Sequence, residues 1–390
     1  MRMSNFDKPT TFREYQEIVK KTDKLPGDDF QLPVLGLFGE VGSLLAVIKK
    51  KRRDFVEEET YNSAIQEELG DSFWYFACIA NRAGLRLSNL AEKVFQSTKN
   101  WEKCEESLNS WGDLQRVRPS GKLEILSCMA ILAQEVGGLV GHLRNGQLQH
   151  NRDILSGDLI SIMRALVDVA EATGTSMDRA ARTNGRKVLG RYPETLKYPG
   201  LPDENMPENE RLPRKIEMRI EEFAIGEKAY VIQKCNGIII GDRLTDNKLE
   251  KDDYRFHDVF HLAYAVHLSW SPVLRSLFRV KRKSDPRVDE AQDGARATLI
   301  EEGISTFVFG RALKKELYKG VDRVELDTLN FIQEFVAGYE PEERCELWQW
   351  EKAILDGYKI FRCLKKHRRG LVTANLVEHT IEFKEIVDDS

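Results

Sequence analysis

The stretch LGLFGEVGSLLAVIKKK at residues 35–51 decides the fold of the first half of the chain. Its apolar side chains recur at the spacing of one helical face, and they are Leu37, Val41, Leu44, Leu45 and Ile48. The lysines at its end are favourable at a helix C-terminus, where the helix dipole attracts cations. Amphipathic segments of the same kind follow to about residue 190, which predicts an all-α first half.

These predicted helices form two similar sets of three. The letters GEVGS at residues 39–43 are echoed by QEVGG at 134–138, and NRAGL at 81–85 is echoed by EATGT at 171–175. Chance similarity between amphipathic helices is the alternative. A true repeat predicts that the two sets pack as a pseudo-dimer, because each set alone would leave a hydrophobic face bare.

The sequence predicts four parts in an all-α protein. A first repeat covers residues 1–110, and a second, diverged repeat covers 120–193. Residues 194–213 are acidic and rich in proline, which is typical of a linker. The part at 214–390 is predicted to be mostly helical, with one small β-hairpin around the Asn-Gly pair at 236–237.

Composition narrows the classes of function. The 390 residues predict two or three domains. The net charge of −4 disfavours nucleic acid and anionic membranes as partners. The longest compact apolar run, Phe73–Ala80, is far shorter than the ~20 residues that cross a bilayer, so no membrane partner is expected. Without a secretory signal or a C-x-x-C pair, the chain is expected in the cytoplasm.

Acidic residues lie beside the apolar faces of two neighbouring helices. Glu40 borders the apolar stripe of the first, and Glu68 and Asp71 are three residues apart on the second. Carboxylates next to a core are costly unless a positive charge neutralises them. Hard oxygen ligands suit magnesium, which also takes up substrate phosphates. The spacing alone leaves open that these are solvated helix acids.

This part of the sequence resembles the MazG family of all-α nucleoside triphosphate pyrophosphohydrolases. The resemblance is carried by LGLFGEVG at 35–42, EELGD at 67–71, the Trp-Tyr pair at 74–75 and NRAGL at 81–85. It implies that Glu40, Glu68 and Asp71 bind Mg²⁺ or Mn²⁺. Water would attack the triphosphate and release pyrophosphate and a nucleoside monophosphate. Glu67 is the candidate base, with Glu68 in the same catalytic set.

The first repeat departs from the family pattern. Ser43 stands where a second glutamate of the family's helix pair is expected, so one metal ligand is missing. The second repeat keeps the phosphate-binding half of the family pattern instead, and the matching residues are Asn184, Lys187 and Arg191.

The second repeat has a reduced acidic set. Only Glu135 and Asp158 align with Glu40 and Glu68. One interpretation is a single composite site, in which the first repeat supplies carboxylates and the second supplies groups for the phosphates. The other is decay to a nucleotide-binding or purely structural bundle.

Two basic clusters are further candidates for phosphate contacts. They are Lys50 and Lys51 at the end of the Glu40 helix, and Lys281, Arg282 and Lys283 in the C-terminal part. The first cluster is also explained by the helix dipole alone.

The C-terminal part carries a second candidate site. His257 and His261 are spaced i,i+4, which puts both imidazoles on one helical face, as metal sites with two histidines require. Glu301 and Glu302 lie on a later helix and are predicted as the acidic ligands, with Glu302 also a catalytic candidate. Imidazole with carboxylate suits a transition metal. The alternative is a pair of hydrogen-bonded core histidines with Glu302 as their ion-pair partner.

The same region resembles the C-terminal domain that is appended to some MazG-like proteins. The matching stretches are FHDVFH at 256–261, WSPVL at 270–274, KRKSDP at 281–286 and DGAR at 293–296. This resemblance implies an architecture but no mechanism.

The predicted function is metal-dependent hydrolysis of a nucleoside triphosphate. The rival hypotheses are a nucleotide-sensing regulatory or effector protein with little turnover, and an interaction scaffold. The family's habit of dimerising makes a homodimer an expectation.

Overall fold

The computed structural model describes residues 10–54, 56–94, 108–118, 121, 123–149 and 151–386. The chain forms two compact units, Met1–Tyr192 and Pro193–Ser390. Parts of the predicted repeats at 1–110 and 120–193 lie outside the described residues.

The first unit is helical. Its helices in the described ranges are α1 (Phe12–Thr22), α2 (Gln31–Arg53), α3 (Glu58–Arg82), α4 (Leu87–Val94), α5 (Trp111–Arg116), α6 (Ile125–Arg144), α7 (Arg152–Thr173) and α8 (Met177–Arg191). Helix α2 packs against α3, α6 packs against α7, and α2 also contacts α6. The buried ring of Trp111 stacks on Phe73 with 4.2 Å between the ring centroids. The relation of the two helix sets as a pseudo-dimer stays a prediction.

Helix α3 approaches α8 closely at Gly70. A Cβ atom at this position would lie 2.8 Å from the backbone oxygen of Ala180 and 2.9 Å from Cβ of Asn184. Both distances are shorter than a van der Waals contact, so only glycine allows the two helices to be this close. The approach brings acidic residues of the first repeat next to polar residues of the second.

Helices α2 and α6 are long and apolar enough, by length and composition alone, to cross a membrane. Core helices of globular proteins pass the same test. Each helix buries one face in the core of the first unit, for example at Leu44 in α2 and Leu132 in α6. In α2, Leu35 and Phe38 are exposed to 47% and 50%.

The second unit combines helices with a sheet. Its α-helices are α9 (Asp258–Leu268), α10 (Pro272–Phe278), α11 (Pro286–Ala291), α12 (Ala295–Ala312), α13 (Leu326–Phe335), α14 (Glu340–Arg344) and α15 (Leu347–His367). Its strands are β1 (Lys215–Ile225), β2 (Lys228–Cys235), β3 (Ile238–Ile239), β4 (Arg369–Asn375) and β5 (Thr380–Lys384).

The protein is mostly helical, as predicted, but its β structure is a five-stranded sheet rather than a single small hairpin. The strands are antiparallel in the order β3-β2-β1-β4-β5. The hairpin around Asn236 and Gly237 is present, and both residues have positive φ, as a tight turn requires. Its second strand has only two residues, however, and the long hairpin joins β1 to β2, where Ile225 pairs with Lys228.

The segment at 194–213 is folded into the second unit, which differs from the predicted linker. Asp203 is 1% exposed, and its carboxylate accepts hydrogen bonds from Arg275 at 2.8 Å and Arg214 at 2.7 Å. The backbone N–H of Leu212 donates to the same carboxylate at 2.8 Å. A buried acid with three donors anchors this proline-rich chain, so its composition alone was misleading.

Candidate functional site

The first unit gathers three acidic side chains between α2 and α3, which we call the carboxylate cluster: Glu40, Glu68 and Asp71. Glu40 lies on α2, while Glu68 and Asp71 lie one turn apart on α3. The side chains of Glu40 and Glu68 are close enough to affect each other's pKa. Carboxylates this close repel one another, which favours a shared proton or a bound cation between them.

The pKa values of the carboxylate cluster reflect this crowding. Burial, together with the charges of Asp71 and Glu68, raises the pKa of Glu40 to about 7. Burial and the charges of Asp71 and Glu67 raise the pKa of Glu68 to about 7. Burial also raises the pKa of Asp71, although Lys187 opposes it. Half-buried carboxylates with raised pKa values are an arrangement that a divalent cation would stabilise.

Helix α8 of the second repeat completes this site. Lys187 Nζ lies 2.7 Å from Asp71 Oδ2 and 2.8 Å from Glu67 Oε1. Asn184 donates from Nδ2 to Asp71 Oδ1 at 2.8 Å. The structure thus brings the acids of the first repeat together with Asn184 and Lys187 of the second. This is the arrangement expected if the two repeats form a single composite site.

Other predicted phosphate contacts of the first unit lie elsewhere. Lys51 binds Glu58 at 2.6 Å and the backbone oxygen of Val56 at 3.1 Å. Lys50 is exposed near the end of α2, about 15 Å along the helix axis from Glu40. Lys51 therefore stabilises the α2–α3 connection, and the structure brings neither lysine to the carboxylate cluster.

Arg191 lies one turn beyond Lys187, at the end of α8. Its guanidinium group packs over the ring of Tyr192, 5.4 Å from the ring centroid.

Asp158, which aligns with Glu68 in the predicted second repeat, has a local partner. Its Oδ2 lies 2.7 Å from His142 Nδ1.

In the second unit, His257, His261 and Glu302 form a second group, which we call the histidine cluster. One ligand atom from each of the three residues lies within 4.8 Å of the others. His261 Nε2 is 3.4 Å from Glu302 Oε1, and His257 Nε2 is 3.6 Å from Glu302 Oε2. Helix α9 and the residue before it supply the imidazoles, and α12 supplies the acid.

Glu301, also predicted as a metal ligand, lies outside that group of three. Its buried carboxylate accepts hydrogen bonds from His261 Nδ1 at 2.8 Å, Ser271 Oγ at 2.7 Å and the backbone N–H of Val273 at 2.8 Å. Glu301 therefore holds the His261 ring in place. Adjacent residues on a helix point about 100° apart, which is why only Glu302 reaches the centre of the cluster.

The charges of the histidine cluster are strongly coupled. Burial lowers the pKa of His261, but the carboxylates of Glu301 and Glu302 outweigh it, so the pKa is raised well above the ordinary value. Burial raises the pKa of Glu302, but the imidazoles of His257 and His261 outweigh it and lower the pKa strongly. The carboxylates of Glu301 and Glu302 therefore stabilise a positive charge at the centre of the histidine cluster.

The basic stretch Lys281–Lys283 does not line the cavity beside the histidine cluster. Arg282 is 1% exposed and forms ion pairs with Asp293 at 2.7 Å and Glu340 at 2.6 Å. Its guanidinium is thus already engaged by two carboxylates inside the fold. Phosphate contacts at Lys281, Arg282 and Lys283 stay a prediction.

Some side chains that shape the two sites gave no signal in the sequence. The hydroxyl of Tyr15 donates to Asn184 Oδ1 at 2.9 Å and so fixes the amide that faces Asp71. In the second unit, Gln233 of β2 donates to Asp258 beside His257. Both contacts join distant parts of the chain, and no local spacing encodes them.

The first unit is thus a helical bundle around a carboxylate cluster, and the second is a domain of helices on an antiparallel sheet. Residues 197–387 match the family model of the MazG C-terminal domain. The second unit therefore belongs to the MazG C-terminal domain family, in agreement with the resemblance of the first unit to MazG proteins. No curated protein and no solved structure matches the chain.

Proposed function

We propose that the first unit binds a nucleoside triphosphate together with Mg²⁺ or Mn²⁺ and hydrolyses it to a nucleoside monophosphate and pyrophosphate. The observation that carries this proposal is the carboxylate cluster with Lys187 at its edge. The MazG C-terminal domain in the same chain supports a nucleotide-related activity.

The donor set fits a hard divalent cation. Glu40, Glu68 and Asp71 offer oxygen ligands, and their raised pKa values arise from burial and mutual repulsion. A bound cation would neutralise the phosphates and activate the attacking water. Ser43 stands where the family pattern places a further acidic ligand, so the carboxylate cluster offers three ligand side chains among the described residues. Such a cation would keep several water molecules, as Mg²⁺ commonly does.

Lys187, Asn184 and Glu67 can contribute to phosphate binding, to the orientation of Asp71 and to proton transfer. Lys187 bridges Asp71 and Glu67 and carries the positive charge closest to the cluster, so it can bind a phosphate oxygen. Asn184 fixes the orientation of Asp71. The carboxylate of Glu67 is 48% exposed and can pass a proton from water to solvent.

A second candidate function is nucleotide sensing without turnover. It is favoured by Ser43 in place of an acid, and by the two ion pairs that already engage Lys187. A protein of this kind would bind the nucleotide and its cation but would release no pyrophosphate.

Pyrophosphate release by the full-length chain distinguishes hydrolysis from nucleotide sensing without turnover. Each nucleoside and deoxynucleoside triphosphate is incubated with Mg²⁺ or Mn²⁺, and monophosphate and pyrophosphate are quantified. We expect equal amounts of the two products with at least one nucleotide, and loss of both in Glu68→Gln. The matched control is Asp158→Asn, which alters the aligned acid of the second repeat and should retain turnover.

Binding is measured on the same samples by the shift of the melting temperature. A cation-dependent shift without products would favour sensing. Neither a shift nor products with any nucleotide would contradict both functions and favour an interaction scaffold.

A further inference from the structure

We propose that the histidine cluster of the second unit is a binding site for one divalent transition-metal ion of the zinc type, held by His257 Nε2, His261 Nε2 and the carboxylate of Glu302, with an open position toward a cavity. This inference does not depend on the activity of the first unit. It rests on five observations: ring orientation, distances, burial, the carboxylate behind His261 and the cavity.

Both imidazoles are held with Nε2 toward Glu302. The Nδ1 atom of His257 donates to the backbone oxygen of Tyr254 at 2.9 Å, and that of His261 donates to Glu301 at 2.8 Å. A neutral imidazole that donates from Nδ1 presents a lone pair at Nε2. Both Nε2 atoms therefore face the Glu302 carboxylate, and either protons or a metal ion must lie between these nitrogens and the carboxylate oxygens.

The distances fit a metal centre better than direct hydrogen bonds. The two Nε2 atoms lie 3.4 Å and 3.6 Å from oxygens of Glu302. Charge-assisted hydrogen bonds are typically about 2.7–2.9 Å long. Ligands at about 2.0–2.1 Å from a tetrahedral zinc ion lie about 3.3 Å from one another, close to the observed separations.

One ring nitrogen at the centre of the histidine cluster is buried without a hydrogen-bond partner. His261 is 0% exposed, and its Nε2 makes no hydrogen bond within the described structure. Buried polar atoms are nearly always satisfied, so an unpartnered nitrogen aimed at a carboxylate calls for a ligand. Structural core histidines, the alternative, would have both ring nitrogens bonded to protein groups.

A carboxylate behind the ring completes the arrangement found around metal-bound histidines. Glu301 accepts from His261 Nδ1 and is itself fixed by Ser271 and the N–H of Val273. Such a carboxylate orients the ring and makes the opposite nitrogen a better ligand. His257 is held similarly by the Tyr254 oxygen, and its ring stacks on that of Tyr254 at 4.3 Å.

The open side of the site faces a cavity of about 710 Å³ that His257, Asp258 and Glu302 help to line. Glu302 is 38% exposed, whereas the histidines are buried. Asp258 Oδ1 lies 3.2 Å from His257 Nε2, next to the position of the ion. Three protein ligands and an accessible fourth position are typical of catalytic rather than structural zinc.

Cobalt binding by the full-length chain tests the inference. The protein is stripped with a chelator and titrated with Co²⁺, whose visible absorption is intense in a tetrahedral site with imidazole ligands. We expect one such site per chain, with Zn²⁺ displacing Co²⁺ and excess Mg²⁺ leaving the spectrum unchanged, because imidazole favours transition metals over magnesium.

Substitutions test whether the visible absorption of bound Co²⁺ comes from the histidine cluster. His261→Ala and Glu302→Gln should each abolish it, and Glu301→Gln should weaken Co²⁺ binding about 10–100-fold through the loss of ring orientation. His379→Ala is the matched control, since this histidine bonds to the oxygen of Val266 and should leave the spectrum intact. Glu68→Gln should also leave it intact, which excludes the carboxylate cluster as its source.

Circular dichroism shows which variants are folded, so that loss of metal binding is not confused with unfolding. Glu302 is partly exposed, so Glu302→Gln should fold even if His261→Ala does not. The inference is overturned if the stripped protein takes up no Co²⁺ stoichiometrically, or if folded Glu302→Gln retains the wild-type spectrum and affinity.

Discussion

Gly70→Ala tests whether the close contact of α3 with α8 builds the composite site. The added Cβ would lie 2.8 Å from the oxygen of Ala180, a backbone atom that moves only if the helix moves. Overpacking of this kind costs about 1–3 kcal/mol. Alanine stabilises a helix by about 1 kcal/mol relative to glycine. The net loss in the free energy of unfolding is therefore about 0–2 kcal/mol.

The effect on function should be larger than the effect on stability. Moving α8 away from α3 lengthens the contacts of Asn184 and Lys187 with Asp71, now 2.8 Å and 2.7 Å. Positioning errors of about 1 Å can cost about 100-fold in rate. We expect a folded variant with weakened nucleotide binding and little or no pyrophosphate release.

Urea unfolding and nucleotide titration measure the two effects on the same samples. The matched control is Gly157→Ala in α7, where an added Cβ meets nothing within 4 Å. It should stabilise the protein by about 0.5–1 kcal/mol and leave binding unchanged. The reasoning is refuted if Gly70→Ala is stabilised as much as Gly157→Ala and binds nucleotide like the wild type.

Three further substitutions test individual contacts. Lys187→Ala should weaken nucleotide binding at least tenfold in calorimetric titration, about 1.4 kcal/mol; unchanged affinity would remove this lysine from the site. Tyr15→Phe should cost about 1 kcal/mol in urea unfolding, because it removes the hydrogen bond to Asn184; an unaltered midpoint would count against that bond. Arg282→Ala should cost about 3–5 kcal/mol by leaving buried Asp293 without its main partner. A stable Arg282→Ala variant that binds less nucleotide would support the phosphate interpretation.

Local spacing was sufficient to predict most of the first unit. Apolar residues recur every three or four positions in α2 and α3, and the same pattern predicts that Glu68 and Asp71 share a face. The contact of Lys187 with Asp71 spans 116 positions and has no local signature. Only the family resemblance indicated it, because each of the two predicted repeats matches a different half of the family pattern.

The second unit shows where local patterns mislead. Strand β1 alternates buried apolar and exposed charged residues directly after a proline-rich stretch, and no strand was predicted there. The charged run at 281–283 was predicted to contact phosphates. In fact Arg282 is almost fully buried, since Asp293 and Glu340 on later elements neutralise it. Such pairings depend on tertiary contacts that composition does not encode.

The two proposed sites differ in the chemistry of their donors, and this difference should keep their metals apart. The carboxylate cluster offers only oxygen ligands, which suit Mg²⁺ or Mn²⁺. The histidine cluster offers two imidazole nitrogens and one carboxylate, for which Zn²⁺ competes far better than Mg²⁺. A chelator at low concentration that removes transition metals in the presence of millimolar Mg²⁺ should therefore empty the second unit selectively. Turnover that survives this treatment would belong to the first unit alone, whereas turnover that disappears and returns with Zn²⁺ would require the histidine cluster as well.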